Sequence, residues 1–95
     1  MNRKEFEKNI TYPSEEEADK LLVAETADAM LDKLAIKRQQ GRSGWWNVDY
    51  KATEFLAMAN EHFDKVNSGD FGQIIDCINL LAMARMVGEW ESKKN

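Results

Sequence analysis

Cysteine, histidine and proline each occur once in these 95 residues. A lone Cys77 excludes an intramolecular disulfide. With His62 as the only imidazole, no Cys/His zinc site can be assembled. Pro13 is the only proline, so nothing beyond it forbids long helices. The longest apolar stretch, Ile74 to Val87, is interrupted by Asp76, Asn79 and Arg85 and reads as too short to span a bilayer. The charged start, Met1 to Lys8, has no apolar core of the kind a secretory signal needs. Cys77 sits in an apolar run and reads as a buried, reduced thiol, which fits a reducing compartment. The expectation is a soluble protein of the cytoplasm, with no membrane partner and no cofactor.

The chain is acidic, with a net charge of −4. That balance disfavours bulk nucleic-acid binding, which needs a broad basic face to neutralise phosphates. The charge is not evenly spread. Residues 33–51 carry five Lys/Arg against one acidic residue, while both flanking segments are acidic. A local anion site in the middle third is therefore allowed.

The pattern predicts an all-α domain of three main helices over 14–92, preceded by an N-terminal arm, 1–13, that is loose or a short helix. Tyr12-Pro13 separates the two. Ser14 followed by Glu15-Glu16-Glu17 is a capping box, and the glutamates suit the positive end of a helix dipole. No Pro or Gly interrupts Ser14 to Gln40, and Gly41 is the natural stop, which gives a first helix about 40 Å long. Val23, Ala27, Met30, Leu31 and Leu34 form its apolar stripe. A second helix is expected from Tyr50 to Asn67, capped by Asp49 or Asn47, with Ala52, Phe55, Leu56, Ala59, Phe63 and Val66 facing the core. His62 sits at the edge of that face and reads as a partly exposed boundary residue with no partner to make it a ligand or a base. Asn67-Ser68-Gly69 ends this helix. Asp70 and Gln73 then start a third, which runs to Trp90 or Ser92. It is apolar nearly all round, as expected of a helix covered by other elements or by a second subunit. A thin core in so small a chain also favours homo-oligomerisation.

Lys37-Arg38-Gln39-Gln40-Gly41-Arg42-Ser43-Gly44-Trp45-Trp46 gathers cations, glycines and two tryptophans at one connection. Lys37, Arg38 and Arg42 can bind phosphate, Trp45 or Trp46 can stack on a base, and the glycines can offer backbone N–H donors. The same residues also suit a turn stapled to its helices. Adjacent tryptophans point in different directions, so one is expected in the core and the other outside. Asp76 and Asn79 share one face of the third helix. A carboxylate in an apolar helix needs a partner, and the expectation is that Asp76, with Asn79, anchors Arg38 or Arg42.

Catalytic groupings are sparse. All-α nucleoside-triphosphate pyrophosphohydrolases of the MazG type hold Mg²⁺ with E-x-x-E and E-x-x-D carboxylates on facing helices. Here Glu16 and Asp19 give one such pair, Asp76-x-x-Asn79 stands on the third helix, and Glu61 and Asp64 lie on a polar side. That cage is incomplete, no P-loop or nucleophile elbow occurs, and no metal site is expected.

From Lys33 to Trp45 the chain resembles small proteins of tailed bacteriophages and prophages that carry a K-L-A-x-K-R-x-x-G-R-x-G-W stretch. In these a helix, a G-D, and a helix with D-x-x-N and an apolar Met-containing end follow, as Gly69-Asp70, Asp76-x-x-Asn79 and Leu81-Ala82-Met83 do here. Trp46 and Gln73 depart from the pattern. The resemblance covers residues 33–87 and implies accessory phage genes rather than a reaction. By analogy it implies a non-catalytic protein that binds and neutralises a host component, a host protein or a signalling nucleotide, as in counter-defence. The alternatives are a MazG-like relative with a degenerate metal site and a structural assembly protein.

Overall fold

The structure is a computed structural model that describes residues 2–8, 14–47 and 49–93. Among them all regular structure is helical. Four α-helices run in order: α1 (Arg3–Lys8), α2 (Glu15–Gln39), α3 (Ala52–Asn67) and α4 (Ile74–Lys93), with a 3-10 turn at Phe71–Gln73 leading into α4. The arm thus carries a six-residue helix. The expected break at Tyr12-Pro13 lies outside the described residues.

Local chemistry sets most helix ends. Ser14 Oγ accepts the Glu17 backbone N–H at 3.1 Å, and Glu15, Glu16 and Glu17 occupy the first turn of α2, where carboxylates offset the exposed N–H groups. At its other end Gly41 takes φ +83°. The Arg42 N–H reaches the Lys37 carbonyl at 2.8 Å, and the Gly41 N–H reaches that of Arg38 at 3.0 Å. This paired closure needs a left-handed residue, which glycine supplies without a Cβ clash. Gly69 ends α3 in the same way, with Asp70 N–H on the Lys65 carbonyl at 3.0 Å.

The start of α3 differs from expectation. The helix begins at Ala52 behind Lys51, which makes no side-chain cap, so neither Asp49 nor Asn47 serves. The Ala52 N–H is instead taken by Glu91 Oε1 at 2.9 Å. A carboxylate from the end of α4 thus caps α3 and ties the two helices together. Glu91→Ala is expected to cost about 1 kcal/mol, the usual worth of a lost N-terminal cap, read as a lower urea midpoint at unchanged slope.

α4 is the central element. It packs along α3 and against α2, while α2 and α3 scarcely meet. Phe55, Ala84 and Val87 form the buried core, with Trp45, Met58, Leu80 and Met83 packed against it. Cys77 is buried between α4 and α3, and its Sγ donates to the Ala59 carbonyl. The apolar stripe expected of α2 is only half used. Met30 and Leu34 are half-buried, but Val23 and Leu31 are 66% and 63% exposed, and no residue of α2 is fully buried. The face turned to α4 instead includes Lys33 and Lys37, one turn apart, which the pattern of apolar residues could not reveal.

The expectation that the apolar segment is too short for a bilayer is also corrected. Phe71–Lys93 is long enough, and over an 18-residue window with a mean hydropathy of 1.2 apolar enough, to cross a membrane by length and composition alone, a test that a core helix also passes. Counting only Ile74 to Val87 left out its helical flanks. In the fold, this helix turns Asp76, Cys77, Asn79, Ala84 and Val87 inward.

Candidate ligand cleft

Because α2 and α3 flank α4 without closing on each other, a cleft of about 560 Å³ remains between them. Leu34, Lys37 and Arg38 of α2 form one wall, and Met58, Glu61 and His62 of α3 the other. Asp76, Asn79, Leu80 and Met83 of α4 lie at its floor. The connection closes one end with Arg42, Ser43, Gly44, Trp45, Trp46 and Tyr50. All five residues expected to bind a ligand, and both expected anchors, therefore line one cavity.

The anchor works differently from expectation. Asp76 holds neither Arg38 nor Arg42. Its Oδ2 lies 3.5 Å from Lys33 Nζ and its Oδ1 3.8 Å from Lys37 Nζ. The reason is helical geometry: Lys33 and Lys37 share the side of α2 facing α4, and Arg38 is turned about 100° away from Lys37. Asp76 is buried, while both lysines are about one-third exposed, so their stems lie on the fold and their ammonium groups reach the carboxylate from the cleft edge. Asn79 does not touch the arginines either. Its Nδ2 donates to the Met30 carbonyl at 3.3 Å, pinning α4 to α2. Its Oδ1 is buried without a hydrogen-bond partner.

This arrangement frees the arginines. Arg38 and Arg42 are exposed, and among the described residues neither is in an ion pair. The backbone of the connection offers less than expected, because the N–H groups of Gly41 and Arg42 already close α2. Any anion is therefore met there by guanidinium groups rather than by a backbone nest at Gly41.

The two tryptophans divide as adjacent side chains must. Trp45 is half-buried and stacks on Trp90 of α4, centroids 5.7 Å apart and planes 8° from parallel. Trp46 meets Trp45 edge to face at 6.2 Å and is 64% exposed. Tyr50 stands edge-on to Phe55. An accessible indole and a phenol thus stand beside two unpaired guanidinium groups.

His62 is half-buried at the edge of α3, as expected, and hydrogen-bonds Gln73. Gln73 Nε2 donates to Asp70 Oδ2 at 3.2 Å, which turns Gln73 Oε1 toward the ring. His62 Nδ1 donates to that oxygen, and this leaves Nε2 as the other ring nitrogen. The spacing of Asp70 and Gln73 signalled a helix start, but nothing local signalled that Gln73 reaches across to α3. Glu61 is exposed, as expected of the polar side of α3, and also lines the cleft.

Among the described residues no cluster of His, Cys, Asp and Glu could hold a metal ion. Asp76, the carboxylate at the cleft floor, is already engaged by lysines. No protein-family model, curated protein or solved structure matches this chain.

Proposed function

We propose that this chain is a non-catalytic binding protein whose cleft takes a nucleotide-type ligand, an anion carrying a flat ring. The observation that supports this reading is the meeting of Arg38, Arg42 and Lys37 with exposed Trp46 around one cavity of about 560 Å³, within the size range of small-molecule sites. Guanidinium groups fit phosphate as a fork, and an indole face accepts any base. The apolar side chains of Leu34, Met58, Leu80 and Met83 suit the ring, and the polar floor suits its edge. The resemblance of Lys33 to Trp45 to phage accessory proteins supports a setting in the cytoplasm of a bacterial host, where such a protein would sequester a signalling nucleotide and so counter a defence.

Titration with nucleoside mono- and triphosphates and cyclic dinucleotides, followed by tryptophan fluorescence, tests this. A saturable change is expected with at least one of them. Trp46→Ala should weaken that binding about 5- to 150-fold, the equivalent of about 1–3 kcal/mol of stacking. A flat response across the panel would remove the nucleotide reading. In that case, a host protein captured by the wild type and lost in Arg42→Glu would move the reading to a protein partner. Release of pyrophosphate or phosphate from a triphosphate with Mg²⁺ would overturn the non-enzyme reading in favour of a MazG-like relative.

A further inference from the structure

His62 is tied to the fold by one ring nitrogen and leaves the other free. An ionised Asp70 can only accept, so the Gln73 amide nitrogen faces it and Gln73 Oε1 faces the ring. His62 Nδ1 therefore carries the proton of that bond. In the neutral ring the second nitrogen, Nε2, is then an unprotonated acceptor. Nδ1 and Nε2 lie on different sides of an imidazole, so Nε2 points away from Gln73. It has no hydrogen-bond partner among the described residues. The ring is half-buried and lines the cleft.

Two side chains from opposite walls are drawn to the same stretch of chain. Gln73 holds His62 of α3, and Asp76, one helical turn further on, draws Lys37 of α2. Both His62 and Lys37 line the cleft. No lysine or arginine of α3 does. We propose that His62 is a further ligand of the anion in this cleft, binding a phosphate oxygen through Nε2–H of its imidazolium form, opposite Lys37. This rests on the reading of the cleft as a phosphate site and supplies the cation that the α3 wall otherwise lacks.

The fold makes that proton easy to accept. Gln73 Oε1 takes the Nδ1–H bond in both ring forms, so Nε2 can gain a proton from solvent without the ring turning. Asp70 polarises the Gln73 amide from behind, which suits a cationic ring. On its own helix the charged neighbours of His62 are Glu61 and Lys65. Across the floor stands Asp76 with Lys33 and Lys37, and Arg38 and Arg42 line the cleft beyond them. These cations outnumber Asp76 and Glu61, so an anion is welcome there. Carboxylates ordinarily titrate below, and lysines and arginines above, the range in which imidazole changes charge. Phosphate bound between His62 and Lys37 leaves Trp46 and Tyr50, on the connection, for a flat ring.

Calorimetric titration with inorganic pyrophosphate, at about pH 6 and about pH 8, tests the assignment on the wild type and His62→Gln. Comparing the two proteins at each pH removes the probe's own titration. The wild type is expected to bind about tenfold tighter than the variant at the lower pH, as a charge-assisted hydrogen bond allows, and equally at the higher. Equal affinities at both pH values would overturn the proposal. So would a wild type that loses affinity relative to the variant as the pH falls, because Nε2 would then be accepting from the ligand. No pyrophosphate binding by either protein would overturn it as well. If His62→Gln fails to fold, the imidazole ¹⁵N signals of the wild type decide: saturating pyrophosphate should move the protonation of Nε2 about one pH unit upward, and an unmoved titration rules His62 out. The nucleotide reading fails separately. Pyrophosphate bound with the expected pH dependence, and nucleotides bound no tighter than pyrophosphate, would keep His62 as a phosphate ligand and remove the ring.

Discussion

Replacing Lys33 and Lys37 together with methionine is expected to destabilise the fold by about 3–5 kcal/mol, the cost of stranding a buried carboxylate. Asp76 is buried between α2 and α4, and these two lysines are its ion-pair partners. Each pair is long, so neither lysine alone carries the interaction, and the loss should be greatest when both go. Removing the acid is a different experiment. Asp76→Asn leaves two lysines that are already about one-third exposed and free to turn to water, so it should cost far less, about 1 kcal/mol. The diagnostic result is the triple variant. Asp76→Asn placed in the lysine-free chain should restore most of the lost stability, because no buried charge remains to be compensated. Urea unfolding of the four proteins reads this directly. A double lysine variant as stable as the wild type would show that the carboxylate is satisfied in some other way. Against a total stability of about 5–15 kcal/mol for a typical domain, the expected loss is a large fraction of the whole.

Trp45→Ala is the second large effect. Trp45 packs against the core cluster of Phe55, Ala84 and Val87 and stacks on Trp90. Deleting an aromatic from such a site costs about 3–5 kcal/mol when it is fully buried. Trp45 is half-buried, so about 3 kcal/mol is expected. Its neighbour should behave oppositely. Trp46→Ala removes a 64% exposed side chain and should change stability by no more than about 0.5 kcal/mol, while weakening ligand binding. The pair of variants therefore separates the fold from the site at adjacent positions. Equal thermal shifts for the two would contradict the division of labour seen in the ring geometry.

What the sequence made legible was chemistry settled within a few residues. Ser14 with Glu17, and Gly41 and Gly69 after their helices, are local solutions to unpaired backbone groups, and each stands where its residue type predicts. The gathering of Lys37, Arg38, Arg42 and the tryptophans was likewise visible, because they are neighbours in the chain. What failed depended on register between helices. Asp76 called for a cation, but choosing Lys33 and Lys37 over the arginines required knowing which side of α2 faces α4. The cap of α3 comes from Glu91, 39 residues away, and no pattern near Asn47 or Asp49 points to it. The Gln73 contact with His62 is of the same kind. The apolar stripe of α2 is legible as a stripe, but apolar spacing does not say which of its residues the fold covers: Met30 and Leu34 are half-buried, while Val23 and Leu31 are exposed.

The central claim is that the cleft between α2 and α3 takes a phosphate-bearing ring. The most direct measurement is a ¹H–¹⁵N NMR titration of the intact protein with the nucleotide panel, following the indole N–H of each tryptophan, the Asn79 side-chain amide and the guanidinium groups of Arg38 and Arg42. Progressive shifts at Trp46, Arg42 and Asn79, with Trp90 on the far side of the Trp45 stack moving less, are the expected result. Saturable shifts confined to residues outside the cleft, or none with any nucleotide, would contradict it.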